Sequence, residues 1–289
     1  MSFAKQGLGL GLRPKHYLDF LASDRPPVDW VEVISENFMA WRDQAPTKPL
    51  SILEKVREKV PVALHGVSLS IGSTDELDFD YLSALKKLIE RIQPAVVSDH
   101  LCWTGIDSEN LHDLMPLPAT PEVIPFVVER LQRVQDFLGR RILIENVSSY
   151  LEFSQSTLTE WEFINEISRQ ADCGILLDVN NVYVNSVNHG FDPVEFLRSL
   201  SPERIGQIHL AGHTDQGDVL VDTHDEPVTA AVWSLYRKAF ELFGPVNAMI
   251  EWDAQIPPLD RLLEEVGRIK SAQSPALNDR GFSEIGGAP

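Results

Sequence analysis

The apolar positions along the chain alternate between two periods. Short apolar, β-rich runs occupy Gly7–Arg13, Trp30–Ser35, Pro61–Gly66, Ala95–Leu101, Arg141–Asn146, Gly174–Val179, Ile205–Ala211 and Asn247–Asp253. Most are continuously apolar, as expected of parallel strands covered on both faces. Between them the spacing turns helical. Leu82, Leu85, Leu88, Ile89 and Ile92 make one stripe, and Ile124, Val127, Leu131, Val134 and Leu138 make another behind Thr120-Pro121. Thr157 and Glu160 stand at capping-box spacing, and Asp192-Pro193 reads as an N-cap followed by the first helical residue. Glu226–Leu242 and Leu259–Ile269 supply the last two helices. Eight such alternations predict an α/β fold, a single (β/α)8 TIM barrel over residues 1–270. A doubly wound open sheet is the alternative. Residues 271–289 lack periodicity and read as a loose or surface-docked tail.

The alternating glycines Gly7, Gly9 and Gly11 spell GxGxG, not the GxGxxG of a dinucleotide loop. With period two they share one strand face, opposite Leu8, Leu10 and Leu12, which points to close packing inside the barrel.

Polar residues on this scaffold fall into a series. The predicted strands three to eight end in His65, His100, Glu145, Asp178, His209 and Glu251, each behind an apolar run, and strand two adds Glu36 and Asn37. In a closed barrel these ends converge on one mouth. One buried imidazole or carboxylate is ordinary. Six in succession are costly, because packed carboxylates repel one another and lose solvation. Bound cations remove that cost; a carboxylate–histidine hydrogen-bond network is the alternative. Two loops add to the same face. Asp178 and Asn181 lie within one turn, and Asp222 and His224, two apart in an extended segment, share a side. His189 and His213 read as supporting or substrate-contacting residues outside the ligand set. Cys102 reads as a buried structural thiol, while Trp103 and Trp252 flank ligand positions and are expected to wall the pocket.

Composition narrows the chemistry. The 43 acids against 25 bases give a formal charge of −18, which disfavours a nucleic-acid partner. Two cysteines form no disulfide framework, as in a reducing compartment. No apolar segment has the roughly 18 residues a membrane span needs, and no signal peptide is visible, so a soluble cytoplasmic protein is expected. Without a thiolate cluster, iron–sulfur and four-cysteine zinc sites are excluded. Mixed His, carboxylate and amide donors suit iron, manganese or catalytic zinc, and there are too many for one four-coordinate ion.

With these residues on the page the chain resembles the multinuclear non-haem iron-dependent oxidative enzymes typified by the oxidase of methanobactin biosynthesis. The matching segments are GLGLR, WVEVISENF, LHGVSLSIGS, VSDHLCW, ILIENVSSYL, LLDVNNVYVNSVNHG, IHLAGH, DTHDEPV and IEWD, spread over residues 7–270. The resemblance implies a xylose-isomerase-like barrel holding two or three iron ions in mixed Fe(II)/Fe(III) states, with O2 as co-substrate. It places the metal ligands at His65, His100, Glu145, Asp178, Asn181, His209, Asp222, His224 and Glu251, with Glu145, Asp222 and His224 as candidate catalytic residues. It also implies a cysteine-containing ribosomally made precursor peptide as substrate. Since the chain shows no appended peptide-binding domain, a separate peptide-recognition partner protein is expected. The competing expectations are a divalent-metal sugar isomerase or epimerase, an endonuclease of related barrel type, and a non-catalytic metal-binding protein.

Overall fold

The computed structural model describes residues 5–40, 47–107 and 109–274. Eight parallel strands close into a barrel: β1 (Leu8–Gly11), β2 (Trp30–Ile34), β3 (Val62–Gly66), β4 (Val96–His100), β5 (Leu143–Glu145), β6 (Gly174–Asp178), β7 (Ile205–Leu210) and β8 (Asn247–Ile250). Neighbours in sequence are neighbours in the sheet, and β1 closes it against β8 with Leu8 opposite Ala248. The open-sheet alternative is thereby excluded. Around the strands lie α1 (Tyr17–Ala22), α2 (Lys48–Arg57), α3 (Phe79–Ile92), α4 (Val123–Leu138), α5 (Glu160–Ala171), α6 (Val179–His189), α7 (Pro193–Ser199), α8 (Ala230–Phe243) and α9 (Leu259–Ala272). The leucine and isoleucine stripes of α3 and α4 are buried between helix and sheet, as their spacing predicts.

Helix boundaries differ in detail. The capping box of α5 is Thr159 with Glu162, not Thr157 with Glu160; Glu160 is the first helical residue. Helix α4 starts at Val123, past Thr120-Pro121. Asp192 caps α7 by accepting from the Val194 amide, with Pro193 first in the helix, as expected. Helix α9 runs to Ala272, beyond the expected boundary, and the rest of the expected tail, 275–289, lies outside the described residues. Two antiparallel hairpins go beyond the sequence pattern: Trp103–Ile106 with Glu109–Met115, and Thr214–Asp215 with Leu220–Val221. Their strands are short or largely exposed and show no apolar run.

The barrel interior decides where function sits. Trp30, Ala63, Val96, Leu143, Leu176 and Met249 form an apolar cluster of their own, separate from the large core between sheet and helices. Trp30 fits there because Gly9 has no side chain: a Cβ on Gly9 would lie 2.5 Å from the indole. Two residues further along each of those strands the inward positions are Glu32, His65, Ser98, Glu145, Asp178 and Glu251, all buried. Successive inward layers of a strand are two residues apart, so the polar layer is stacked directly on the apolar plug. Among the described residues no helix is long and apolar enough to cross a membrane.

Candidate metal centre

Strand register brings the polar ends level with one another. Ile34 pairs with His65, His100 with Glu145, and Asp178 with His209, while the Glu251 amide bonds to the Leu210 carbonyl. Their side chains meet at the mouth. Glu145 is central: its Oε2 lies 3.1 Å from His65 Nε2 and 3.4 Å from His100 Nε2, and its Oε1 3.3 Å from His209 Nδ1. Glu251 Oε2 lies 2.9 Å from His209 Nδ1 and 3.4 Å from His224 Nδ1. Three groups have ligand atoms within 4.8 Å of one another: His65, His100 and Glu145; Glu145, Asp178, His209 and Glu251; and His224, Glu251 and Asp253. Glu145 belongs to the first two and Glu251 to the last two, so the groups form a chain linked by carboxylates.

Second contacts orient the rings. His100 Nδ1 is 3.1 Å from the Gly66 carbonyl, which can only accept, so the proton sits on Nδ1 and Nε2 presents its lone pair. His65 Nδ1 is held by the Ser98 hydroxyl at 2.8 Å. His209 Nε2 meets Glu32 Oε1 at 2.9 Å, and Glu32 in turn accepts from Gln207. That carboxylate–imidazole contact frees Nδ1 for an ion, an arrangement common behind metal-bound histidines. Asp178 caps α6 through one oxygen, accepting from the Asn181 amide, and leaves Oδ2 facing the centre.

Electrostatics reflect the same crowding of acids and imidazoles. Burial, reinforced by His100 and His209, holds His65 well below the usual imidazole range, and burial lowers His100. Burial pushes Glu145 up to about 7 against the pull of His209, and lifts Asp178 well above the usual carboxylate range. For His209 and His224 burial is outweighed by nearby carboxylates, led by Glu32 and Asp222 respectively, and both sit well above 6.5. Glu251 is driven the other way, with His209 and His224 overcoming burial. Burial and mutual contact thus favour the protonated forms of Glu145, Asp178, His209 and His224. Arg13, paired with Asp253 and 3.7 Å from Glu251, is the one fixed cation paired with these acids among the described residues.

Orphaned atoms supply the test of fit. Asp178 Oδ2 and Asn181 Oδ1 are buried without a hydrogen-bond partner, while Glu145 Oε2, His209 Nδ1 and His224 Nε2 meet other acids and imidazoles of the centre. Leaving a buried polar atom unsatisfied costs about 1–3 kcal/mol, a cost that a bound ion would remove. Nitrogen and oxygen donors with no sulfur match a hard or borderline transition-metal ion. The residues present can hold a metal.

Asp222 and His224 do meet, with Oδ1 2.6 Å from Nε2, but not through an extended segment. His224 adopts a left-handed conformation (φ 48°), pinned by its amide to Gly212 and its carbonyl to Asp253. Ser148 and Asn180 donate to Asp222, whose amide donates to the Tyr150 hydroxyl. His213 bonds Asn180 and packs against the Tyr183 ring, and His189 bonds the Ser149 carbonyl; both stand outside the three groups. Glu36 also stands apart, accepting from the Val67 amide and Tyr81 hydroxyl. Cys102 is fully buried and outside the groups. Neither Trp103 nor Trp252 lines the cavity of about 190 Å³ over the centre. Trp103 turns its indole N–H to the Pro116 carbonyl, and Trp252 is buried in the core. Sequence reasoning missed Asp253 as a possible ligand and Glu32, Gln207 and Arg13 as supports. Glu32 lies on the inward face already marked by Trp30, so the period-two rule had its signal, whereas Asp253 lies in the loop beyond the last strand, where that rule does not apply.

Fold and site together define a xylose-isomerase-like TIM barrel with a His/carboxylate cluster at the C-terminal mouth of its strands. Within that class the chain belongs to the family described as RiPP precursor modification enzyme MbnB/TglH/ChrH, whose profile matches residues 7–274. A UPF0276 protein of Anaeromyxobacter sp. (strain Fw109-5) is 56% identical over 96% of this chain and 97% of its own. Among solved structures, D-psicose 3-epimerase from Clostridium cellulolyticum covers 92% of this chain and 96% of its own at 10% identity, TM-score 0.58. Endonuclease IV from Thermus thermophilus covers 92% and 98% at 15% identity, TM-score 0.58. At such identities the likeness shows the fold alone.

Proposed function

We propose that this chain is a non-haem iron oxidoreductase that uses O2 to modify cysteine in a ribosomally made precursor peptide. The observation that carries the reading is the run of three ligand groups sharing Glu145 and Glu251, in a member of a precursor-modifying family. A centre built for one ion would leave His224, Asp222 and Asp253 without a task, which disfavours a one-metal isomerase or epimerase, and the formal charge of −18 weighs against the endonuclease reading.

In this reading two or three irons are held by His65, His100, Glu145, Asp178, Asn181, His209, Asp222, His224 and Glu251. Iron, when bound, supplies a Lewis-acidic seat for a thiolate and the electrons that reduce O2. The protein's share is placement and proton handling. Glu145 and Glu251, each shared by two ligand groups, would be available to ions in both, while Glu32, Ser98 and the Gly66 carbonyl fix the histidine orientations. Asp222 and His224 also line the cavity, so a thiol entering it would meet them beside the ions they would hold. A cavity of about 190 Å³ admits a side chain rather than a folded peptide, and in this reading a separate partner protein recognises the leader of the precursor.

The experiment combines metal analysis with mass spectrometry. Protein purified anaerobically with ample iron should carry two or more irons per chain. Co-expression with a neighbouring cysteine-bearing precursor and any partner protein should give an O2-dependent mass change on cysteine, absent in Asp222→Ala and His224→Ala. A single zinc after iron loading, or an unmodified precursor with a full centre, overturns the reading. Iron-free anaerobic turnover of a ketose would favour the epimerase alternative, and iron binding without O2 consumption the non-catalytic one.

A further inference from the structure

A second, larger cavity of about 390 Å³ adjoins the metal centre. Val147, directly after the strand carrying Glu145, lines both cavities, so they are about one side chain apart. The walls of the larger one are mostly apolar, with Leu117, Leu158, Trp161, Phe163 and Phe191 among them, and Trp161 and Phe191 pack at 5.5 Å between ring centroids. Into this apolar space Glu160 brings a carboxylate. Its one hydrogen bond within the described chain comes from Asn185 Nδ2 at 3.1 Å. Asn185 is otherwise committed: its Nδ2 also donates to the Val147 carbonyl, and its Oδ1 accepts from the Ser149 amide. Among the described residues no lysine or arginine lines this cavity, whose other charged groups are Glu152 and, when protonated, His189.

An isolated carboxylate in an apolar enclosure is unfavourable in the ionised form. Burial duly pushes Glu160 up to about 7, against the single Asn185 bond. A ligand that suits this cavity must cover hydrocarbon walls along its length and present a cation at its end. Lysine and arginine side chains have that construction, a long apolar stem with a charged head. The overall formal charge of −18 favours approach of a basic peptide as well.

We infer that the cavity floored by Glu160 and Asn185 is a specificity subsite for a lysine or arginine side chain of the substrate peptide, a few residues from the one seated at the metal centre. This rests on the peptide-substrate reading above. The shared Val147 wall makes the two sites neighbours, and an extended peptide advances about 3.3–3.6 Å per residue, so a short separation along the peptide suffices. The loop 147–149, pinned by Asn185 on one side and lining both cavities, couples the subsites in position.

Binding rather than turnover provides the test. Synthetic fluorescent peptides with one cysteine, otherwise glycine and alanine, would carry a single lysine at each position from three before to three after it. Fluorescence polarisation on the iron-loaded protein should find one or two positions where lysine tightens binding about tenfold over norleucine, its uncharged counterpart. Glu160→Asp, which retains the charge, should keep part of that preference, and Glu160→Gln should abolish it, with circular dichroism confirming that both variants are folded. Equal binding of lysine and norleucine peptides at every position overturns the subsite, as does a lysine preference that survives in Glu160→Gln. Because no cysteine needs to react, a lysine register without cysteine modification would sink only the proposed reaction. Modification with no lysine register would sink only the subsite.

Discussion

Replacing Glu160 by glutamine removes a charge with almost no change in volume, and the amide oxygen can still accept from Asn185. In the folded chain Glu160 sits near 7, against 4.5 in the unfolded chain. Below pH 4.5 both states hold the proton and the residue is neutral towards stability. Between 4.5 and 7 the folded state keeps a proton that the unfolded state has lost, so stability falls as pH rises. Above 7 the whole cost is present. The shift corresponds to about 3 kcal/mol at 1.36 kcal/mol per unit, which partial solvent access reduces to about 2 kcal/mol. Glu160→Gln should therefore match the parent at pH 4.5 and exceed it by about 2 kcal/mol at pH 8, less a few tenths for the acid lost from the first turn of α5. Urea unfolding of both iron-loaded proteins at pH 4.5, 6, 7 and 8 measures this difference, and the metal contribution cancels wherever both have equal iron content. A stability gap that does not widen between pH 4.5 and 8, or a variant that is weaker at pH 8, would refute the account of Glu160 as an uncompensated acid.

Two further substitutions probe the centre and the barrel. Glu145→Gln should deplete more than one ion, because its carboxylate stands in two ligand groups, whereas His189→Ala, outside all three, should leave iron content near the parent's; elemental analysis showing the reverse would invalidate the ligand assignment. Gly9→Ala drives a Cβ to 2.5 Å from the Trp30 indole and should lose about 1–3 kcal/mol, while Gly267→Ala, in helix α9 with nothing within 4 Å, should gain about 0.5–1 kcal/mol. Thermal melting of the pair that moved both in one direction would contradict this packing account.

Six of the nine ligand candidates, His65, His100, Glu145, Asp178, His209 and Glu251, were legible in the sequence because a parallel barrel strand is nearly all apolar, so a His, Glu or Asp at its end stands out against the run before it. The strand count follows from the same contrast, since continuous apolar runs separated by helical spacing leave few arrangements open. Asp222 and His224 were legible as a pair, but the conformation that joins them was not. It depends on the left-handed turn at His224 and on two backbone bonds, to Gly212 and Asp253, from segments distant in sequence. Strand register was equally hidden. Whether His100 stands level with Glu145, or Asp178 with His209, is decided by hydrogen bonding between strands and not by spacing within one. The same holds for the Glu160 cavity. Its walls come from the ends of β4 and β5, the loop before α4, the long loop between β5 and α5, and the helices α5 and α6 with the turn that follows. Its carboxylate looked like part of a helix cap until folding set it among Trp161, Phe163 and Phe191. Periodicity records which face of its own element a residue occupies. What that face meets is settled only when the sheet closes and fixes the distances between elements.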